Sequence, residues 1–286
     1  MRVVANRFGA RRLVLFTTVF GALVSSGCAA LQAPGAAPRL DQTYPVVLTD
    51  ESHRRDEAIA ALQRLERSDK AAAVDAQLQP VTATVMNLPS TGASSMYLPK
   101  VGAGATMSDE ETRESLRRFI RDSQDLIGSD PAKLSLVEIV TQPSGTSVAN
   151  YEQRPFRFPI RGNYGKLHIT FTSDRKIVDL VSTCIPDAER IQNDLSALTI
   201  KIRSRDAVQQ LRTQGVSYLD ARGNKTTFNV PATVQLTPEE LTVYVIPSAL
   251  KPDVLEFHLA WEIEFTGAQF KLVYVDAVNG EILAVS

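Results

Sequence analysis

Cysteine, histidine and tryptophan are scarce in this chain, and each scarcity closes off a chemistry. Of 286 residues, two are cysteine (Cys28 and Cys184), three are histidine and one is tryptophan. A zinc hydrolase needs two imidazoles on one helical face with a glutamate beside them, the HExxH spacing. His53, His168 and His258 are far apart, and none is followed by glutamate. His258 and Glu262 are four apart, but the alternation around them is that of a strand, where four residues span roughly 13 Å. No Gly-x-Ser-x-Gly elbow is present. Gly102 and Gly104 form a lone GxG without the third glycine or the lysine of a phosphate cradle. Cys184, in Val-Ser-Thr-Cys-Ile-Pro, reads as a buried small hydrophobe rather than a nucleophile. No catalytic set, metal site or cofactor is expected, so the chain reads as no enzyme. Clustered basic charge is also missing: the net charge is −1, and phosphate-backbone binding needs dense Lys and Arg. Nucleic acid is therefore not an expected partner.

Long apolar runs are missing too. The uncharged stretch Leu13–Val24 falls short of the about 20 residues that a membrane span requires. Four arginines (Arg2, Arg7, Arg11, Arg12) precede it and Ser25-Ser26-Gly27-Cys28 follow. That order of basic, apolar and small residues is the layout of a secretory signal. Its Gly-Cys ending resembles a bacterial lipobox, which implies lipidation of Cys28. Ala29 stands where an aspartate would retain a lipoprotein on the inner membrane of many enteric bacteria. The expected location is the cell envelope, anchored by lipid, on the outer membrane facing the periplasm. Removal of residues 1–27 takes four of the 31 basic residues and none of the 32 acids, leaving a mature charge of −5. One cysteine spent on lipid leaves Cys184 without a disulfide partner.

Residues 28–47, rich in Ala, Pro and Gly, read as a flexible tether. Helical periodicity runs from Asp50 to Asp69, and Leu78–Met86 reads as extended. Ser108 and Glu111 make a capping box that opens a helix placing Leu116, Phe119, Ile120, Leu126 and Ile127 near one face, with Gly128 as its stop. Strands are expected at Leu134–Val140, Val148–Phe158, Lys166–Phe171 and Lys176–Ser182. Ser204 opens a further helix that Gly215 ends, followed by strands at Phe228–Val234, Leu241–Ile246 and Leu255–Phe265 and a hairpin turning at Asn279-Gly280. From Phe257 to Phe265 every odd position is apolar, with Trp261 in phase, so that face is expected in the core and the even face in water. The class is α+β.

Leu241–Pro247, Leu259–Phe265 and Tyr274–Leu283 together resemble the PepSY domain, with its Leu-Ala-Trp/Tyr-Glu strand and its Asp-Ala-x-x-Gly-Glu hairpin. The earlier block, through Leu126-Ile127-Gly128, Asp174–Val178 and Ile185-Pro186, resembles the fungalysin/thermolysin propeptide (FTP) motif. It departs from that motif at Arg161–Tyr164. The resemblance implies two helix-on-antiparallel-sheet units with a cystatin-like curved sheet: a signal peptide 1–27, the tether 28–47, an FTP-like domain 48–196 and a PepSY-like domain 197–286. In the pro-regions of secreted metallopeptidases this pair precedes a peptidase, whereas here Ser286 follows the hairpin. The expectation is a non-catalytic lipoprotein that binds a secreted or periplasmic metallopeptidase as inhibitor or folding chaperone. The alternative is an envelope ligand-binding or structural scaffold without a peptidase partner. Candidate partner-binding groups are His258, Glu262 and Glu264 on the even face, Asn279 and Gly280 at the hairpin tip, and the passage Pro89–Pro99.

Overall fold

Why Ser108 starts a helix is visible in its bonds. In a computed structural model, which describes residues 43–69, 77–88, 96–103, 107–219 and 223–286, the Ser108 hydroxyl accepts from the Glu111 amide at 3.3 Å. The Glu111 carboxylate accepts from the Ser108 amide at 2.8 Å. Two amides that a helix start leaves without partners are thereby satisfied. Cys28, the signal segment and most of the tether lie outside the described residues. Among those residues no helix is long and apolar enough to cross a membrane.

The elements run β1 (Val46–Thr49), α1 (Ser52–Asp69), β2 (Gln77–Leu78), β3 (Val85–Asn87), α2 (Asp109–Asp122), α3 (Gln124–Ile127), a 3-10 turn at Pro131–Lys133, β4 (Leu134–Thr141), β5 (Thr146–Gln153), β6 (Ile160–Arg161), β7 (Lys166–Thr172) and β8 (Ile177–Ser182). Then come α4 (Ala188–Ser196), α5 (Ser204–Gln214), β9 (Val216–Leu219), β10 (Lys225–Phe228), β11 (Gln235–Pro247), β12 (Val254–Thr266), β13 (Leu272–Asp276) and β14 (Ile282–Val285). The fold is α+β, as the sequence pattern implies.

The first sheet is antiparallel in the order β4-β5-β7-β8. Leu167, Ile169 and Phe171 alternate along β7 onto one face and pack with Leu116, Phe119 and Ile120 of α2. Each such side chain, fully withdrawn from water, contributes about 1.5–3 kcal/mol. Gly128 ends α3 with φ 77°, and a Cβ there would stand 2.4 Å from Thr84 Cγ2.

The second sheet has the order β14-β13-β12-β11-β6, with β1 also paired to β12. β11 flanks β12 along its length, while β13 meets residues 260–264 and β1 meets residues 254–257. β1 and β13 therefore lie end to end along the other edge of β12. The odd-numbered face of β12 is the core face. Phe257 and Leu259 pack with Ile191 and Leu195 of α4, and Ile263 and Phe265 pack with Ala207 and Leu211 of α5. Trp261 bridges the two clusters and donates its indole N–H to the Ile202 carbonyl at 2.8 Å. Gln42–Ser286 groups into one compact unit, because β1, β6 and α4, all before residue 197, complete the core of the second sheet.

Several sequence expectations shift. β1 begins inside the segment read as tether, since Val46 and Leu48 alternate into the core. β5 stops at Gln153, ahead of Pro155, which has no amide to give a ladder. The strand expected at Phe228–Val234 ends at Phe228, where a turn around Pro231 intervenes. Leu78–Met86 is two short paired strands rather than one extended run. The hairpin at Asn279-Gly280 is longer than a two-residue turn: Gly280 alone has positive φ, at 79°. Asp276 Oδ1 accepts from the amides of Val278 and Asn279 at 2.7 and 3.1 Å. That carboxylate, not a left-handed asparagine, shapes the turn.

Candidate functional site

Residues paired across strands share a face, so the register defines what surrounds the even positions of β12. Tyr244 stands opposite His258 and Thr242 opposite Ala260. Tyr274 stands opposite Glu262 and Asp276 opposite Ala260. The short parallel pairing of β6 sets Arg161 beside Tyr244. The face is polar, yet much of it is out of water: His258 is 4% exposed, Glu262 9% and Asp276 0%. The expectation of an open wet face is thus corrected. The physical reason is that Glu262 and Asp276 find partners, and buried charges persist when paired and hydrogen-bonded.

Two networks do this. At one end Arg161 donates from Nε to Glu262 Oε2 at 2.5 Å and from a terminal nitrogen to Glu240 Oε1 at 2.6 Å. The Tyr244 and Tyr274 rings lie 4.4 Å apart beside them. Burial, with the Glu262 carboxylate next in weight, pushes the Tyr274 phenol up to about 12.

At the other end Asp276 collects four donors. Besides the two turn amides, Oδ2 accepts from the Tyr44 hydroxyl at 2.5 Å and from His258 Nδ1 at 2.7 Å. Burial raises the Asp276 pKa, but the bonds from His258, Tyr44 and the two amides outweigh it and hold the carboxyl below its ordinary value. Tyr44 is pushed well above the ordinary phenol range, first by burial and then by its bond to Asp276. The Tyr44 ring meets the imidazole edge-on, with centroids 5.5 Å apart. His258 Nε2 is buried without a hydrogen-bond partner among the described residues, and Glu256 Oε2 stands 3.5 Å from it.

A groove of about 1130 Å³ runs from this cluster past the hairpin to the outer edge of β14. Glu256, His258 and Glu281 line one end of it, and Tyr218, Lys225 and Phe270 the other.

The sequence-derived candidates are only partly brought together. His258 lines the groove, while Glu262 belongs to the Arg161 network and Glu264 is half-buried farther along β12. Asn279 is exposed, but Gly280 is buried: its carbonyl accepts from Gln210 at 2.7 Å, which ties the hairpin to α5. Of the passage Pro89–Pro99, residues 96–99 are described, with Leu98 fully buried and Tyr97 bridged to Lys176. Cys28 lies outside the described residues. Sequence reasoning missed Tyr44, Glu256, Arg161, Tyr244 and Tyr274. The departure from the FTP motif at Arg161 was the one available signal, and nothing near Tyr44 marks it.

The other histidines and Cys184 sit elsewhere in the fold. His53 pairs with Glu57 on α1, at 3.5 Å. His168 Nδ1 meets the Asn150 side-chain oxygen on the first sheet at 2.7 Å, and no three His, Cys, Asp or Glu side chains converge on a metal position. Cys184 is fully buried, and that burial pushes its thiol up to about 12.

No protein-family model and no curated protein matches the sequence. Among solved structures, the chain is similar to the Bacillus megaterium YpeB C-terminal domain, at 10% identity and a TM-score of 0.28, over 84% of this chain and 97% of that one. It is also similar to an uncharacterized protein from Eubacterium rectale ATCC 33656, at 10% identity and a TM-score of 0.31, over 82% of this chain and 81% of that one.

Proposed function

We propose that this chain is a non-catalytic, lipid-anchored envelope protein that binds a secreted or periplasmic metallopeptidase, as a propeptide-like inhibitor or folding chaperone. The observation that carries the reading is the groove beside β14. It joins the outer edge of β14, which pairs with no further strand among the described residues, to a cluster of buried polar groups, and its walls are the second sheet, α5 and the β9–β10 hairpin. A rigid surface of that kind binds with little ordering cost, and an edge strand is suited to a partner in extended conformation. The PepSY resemblance of residues 241–283 supplies the partner class.

One observation favours the scaffold alternative. The charges of Arg161, Glu240 and Glu262 are spent on one another, which leaves that end of the face little to offer a partner. The experiment is a titration of the mature chain, Cys28 replaced by alanine, against secreted metallopeptidases of the same organism. Residual activity and calorimetric heat are followed together. Stoichiometric loss of activity supports inhibition, and improved recovery of refolded peptidase supports the chaperone role. No binding at micromolar concentration by any of these peptidases transfers the case to the scaffold.

A further inference from the structure

β14 carries a usable backbone edge. Ser286 and Leu272 exchange both of their amide bonds, at 2.9 and 3.0 Å. In an antiparallel ladder the next pair is then a non-hydrogen-bonded one, and that pair is Val285 with Val273. The N–H and C=O of Val285 therefore point away from β13, toward the side of the sheet where no further strand is paired among the described residues. Val285 lines the groove, and the β9–β10 hairpin stands across it with Tyr218 and Lys225.

The second observation is independent of the backbone. Asp276, held ionised by its donors, only accepts, so His258 Nδ1 must carry a proton. On the ring's other side Nε2 stands 3.5 Å from Glu256 Oε2, so the imidazole lies between two carboxylates. Asp276, Glu256 and Glu281 set three carboxylates around one imidazole at this end of the groove, an acidic excess that a cationic side chain complements. The His258 side chain is 5% exposed, and Nε2 has no hydrogen-bond partner among the described residues. Glu256 is 24% exposed, so part of its carboxylate end is open to the groove. Glu281 is the second carboxylate that lines this end of the groove.

We infer that the groove binds an extended segment of a protein partner that pairs with β14 at Val285 and places a lysine or arginine side chain against the carboxylates of Glu256 and Glu281. This deepens the proposed partner-binding function and rests on it. The segment's backbone supplies affinity through the edge, and its basic side chain supplies selectivity through the acidic end.

The test uses the mature chain with Cys28→Ala and a fluorescein-labelled peptide of alternating threonine and valine with a central lysine, read by anisotropy. The lysine peptide is expected to bind about tenfold more tightly than the same peptide with a central glutamate. Glu256→Gln should reduce that preference, and Val285→Pro, which removes the outward amide, should weaken both peptides alike. Because the proline also alters packing, a peptide N-methylated at alternate amides is offered to the unmodified chain, where loss of binding is expected. Equal affinity for lysine and glutamate peptides, or indifference to N-methylation, overturns the inference. A metallopeptidase that binds the Glu256→Gln and Val285→Pro variants as well as the parent leaves the broader function standing while this site falls. Lysine-peptide binding without any peptidase partner does the reverse.

Discussion

Replacing Asp276 by alanine removes one carboxylate and leaves four donors without their acceptor: the Tyr44 hydroxyl at 2.5 Å, His258 Nδ1 at 2.7 Å, and the amides of Val278 and Asn279 at 2.7 and 3.1 Å. The position is fully buried. A hydrogen bond to a charged group contributes about 1.5–3 kcal/mol, and breaking a buried charged network from one side costs about 3–5 kcal/mol. The turn amides and the partly exposed Tyr44 regain water, so the four bonds do not sum, and about 3–5 kcal/mol is the expected loss. Tyr44→Phe deletes one donor and should cost about 1.5–3 kcal/mol. Since both changes break the same bond, the double variant should lose less than the sum, by about 1 kcal/mol or more. Equilibrium urea unfolding reports this through Trp261, the sole tryptophan. Acid supplies the sign. The folded pKa of Asp276 lies below its ordinary value of 3.8, so its contribution is full above that value and is lost as pH falls through the depressed one. The stability gap between parent and Asp276→Ala should therefore close on acidification below 3.8, not above it. A loss under about 1 kcal/mol at neutral pH, or strict additivity with Tyr44→Phe, would show that the cluster does not hold the hairpin.

Gly128→Ala should destabilise the first half by about 1–3 kcal/mol, because its φ of 77° is left-handed and the added methyl meets Thr84 Cγ2; a thermal melt with no shift refutes it. Trp261→Ala should cost about 3 kcal/mol, the low end for a large aromatic, since the ring is only partly buried but joins two core clusters; calorimetry measures it, and a neutral result means the strand phase is misassigned. Cys28→Ala should release the protein from the detergent phase on partitioning, and an unchanged distribution removes the lipid anchor from the proposal.

What the sequence determined is local. The capping box at Ser108 names its own partner three residues on, and the glycine at 128 marks a stop that side chains resist. The two-residue period of Phe257–Phe265 orients β12, because a buried face selects apolar residues whichever strand lies beside it. The same period misled about the other face. Polar residues at even positions read as wet, since sequence records polarity and not pairing. Tertiary structure decided that Glu262 meets Arg161 from a two-residue strand 101 positions away, and that Asp276 meets His258 and a tyrosine 232 positions away. Those contacts cost backbone entropy that no local propensity repays. They exist because β1 and β6 are drawn into the second sheet by their own apolar neighbours, and they carry Tyr44 and Arg161 to charges that would otherwise have to face water.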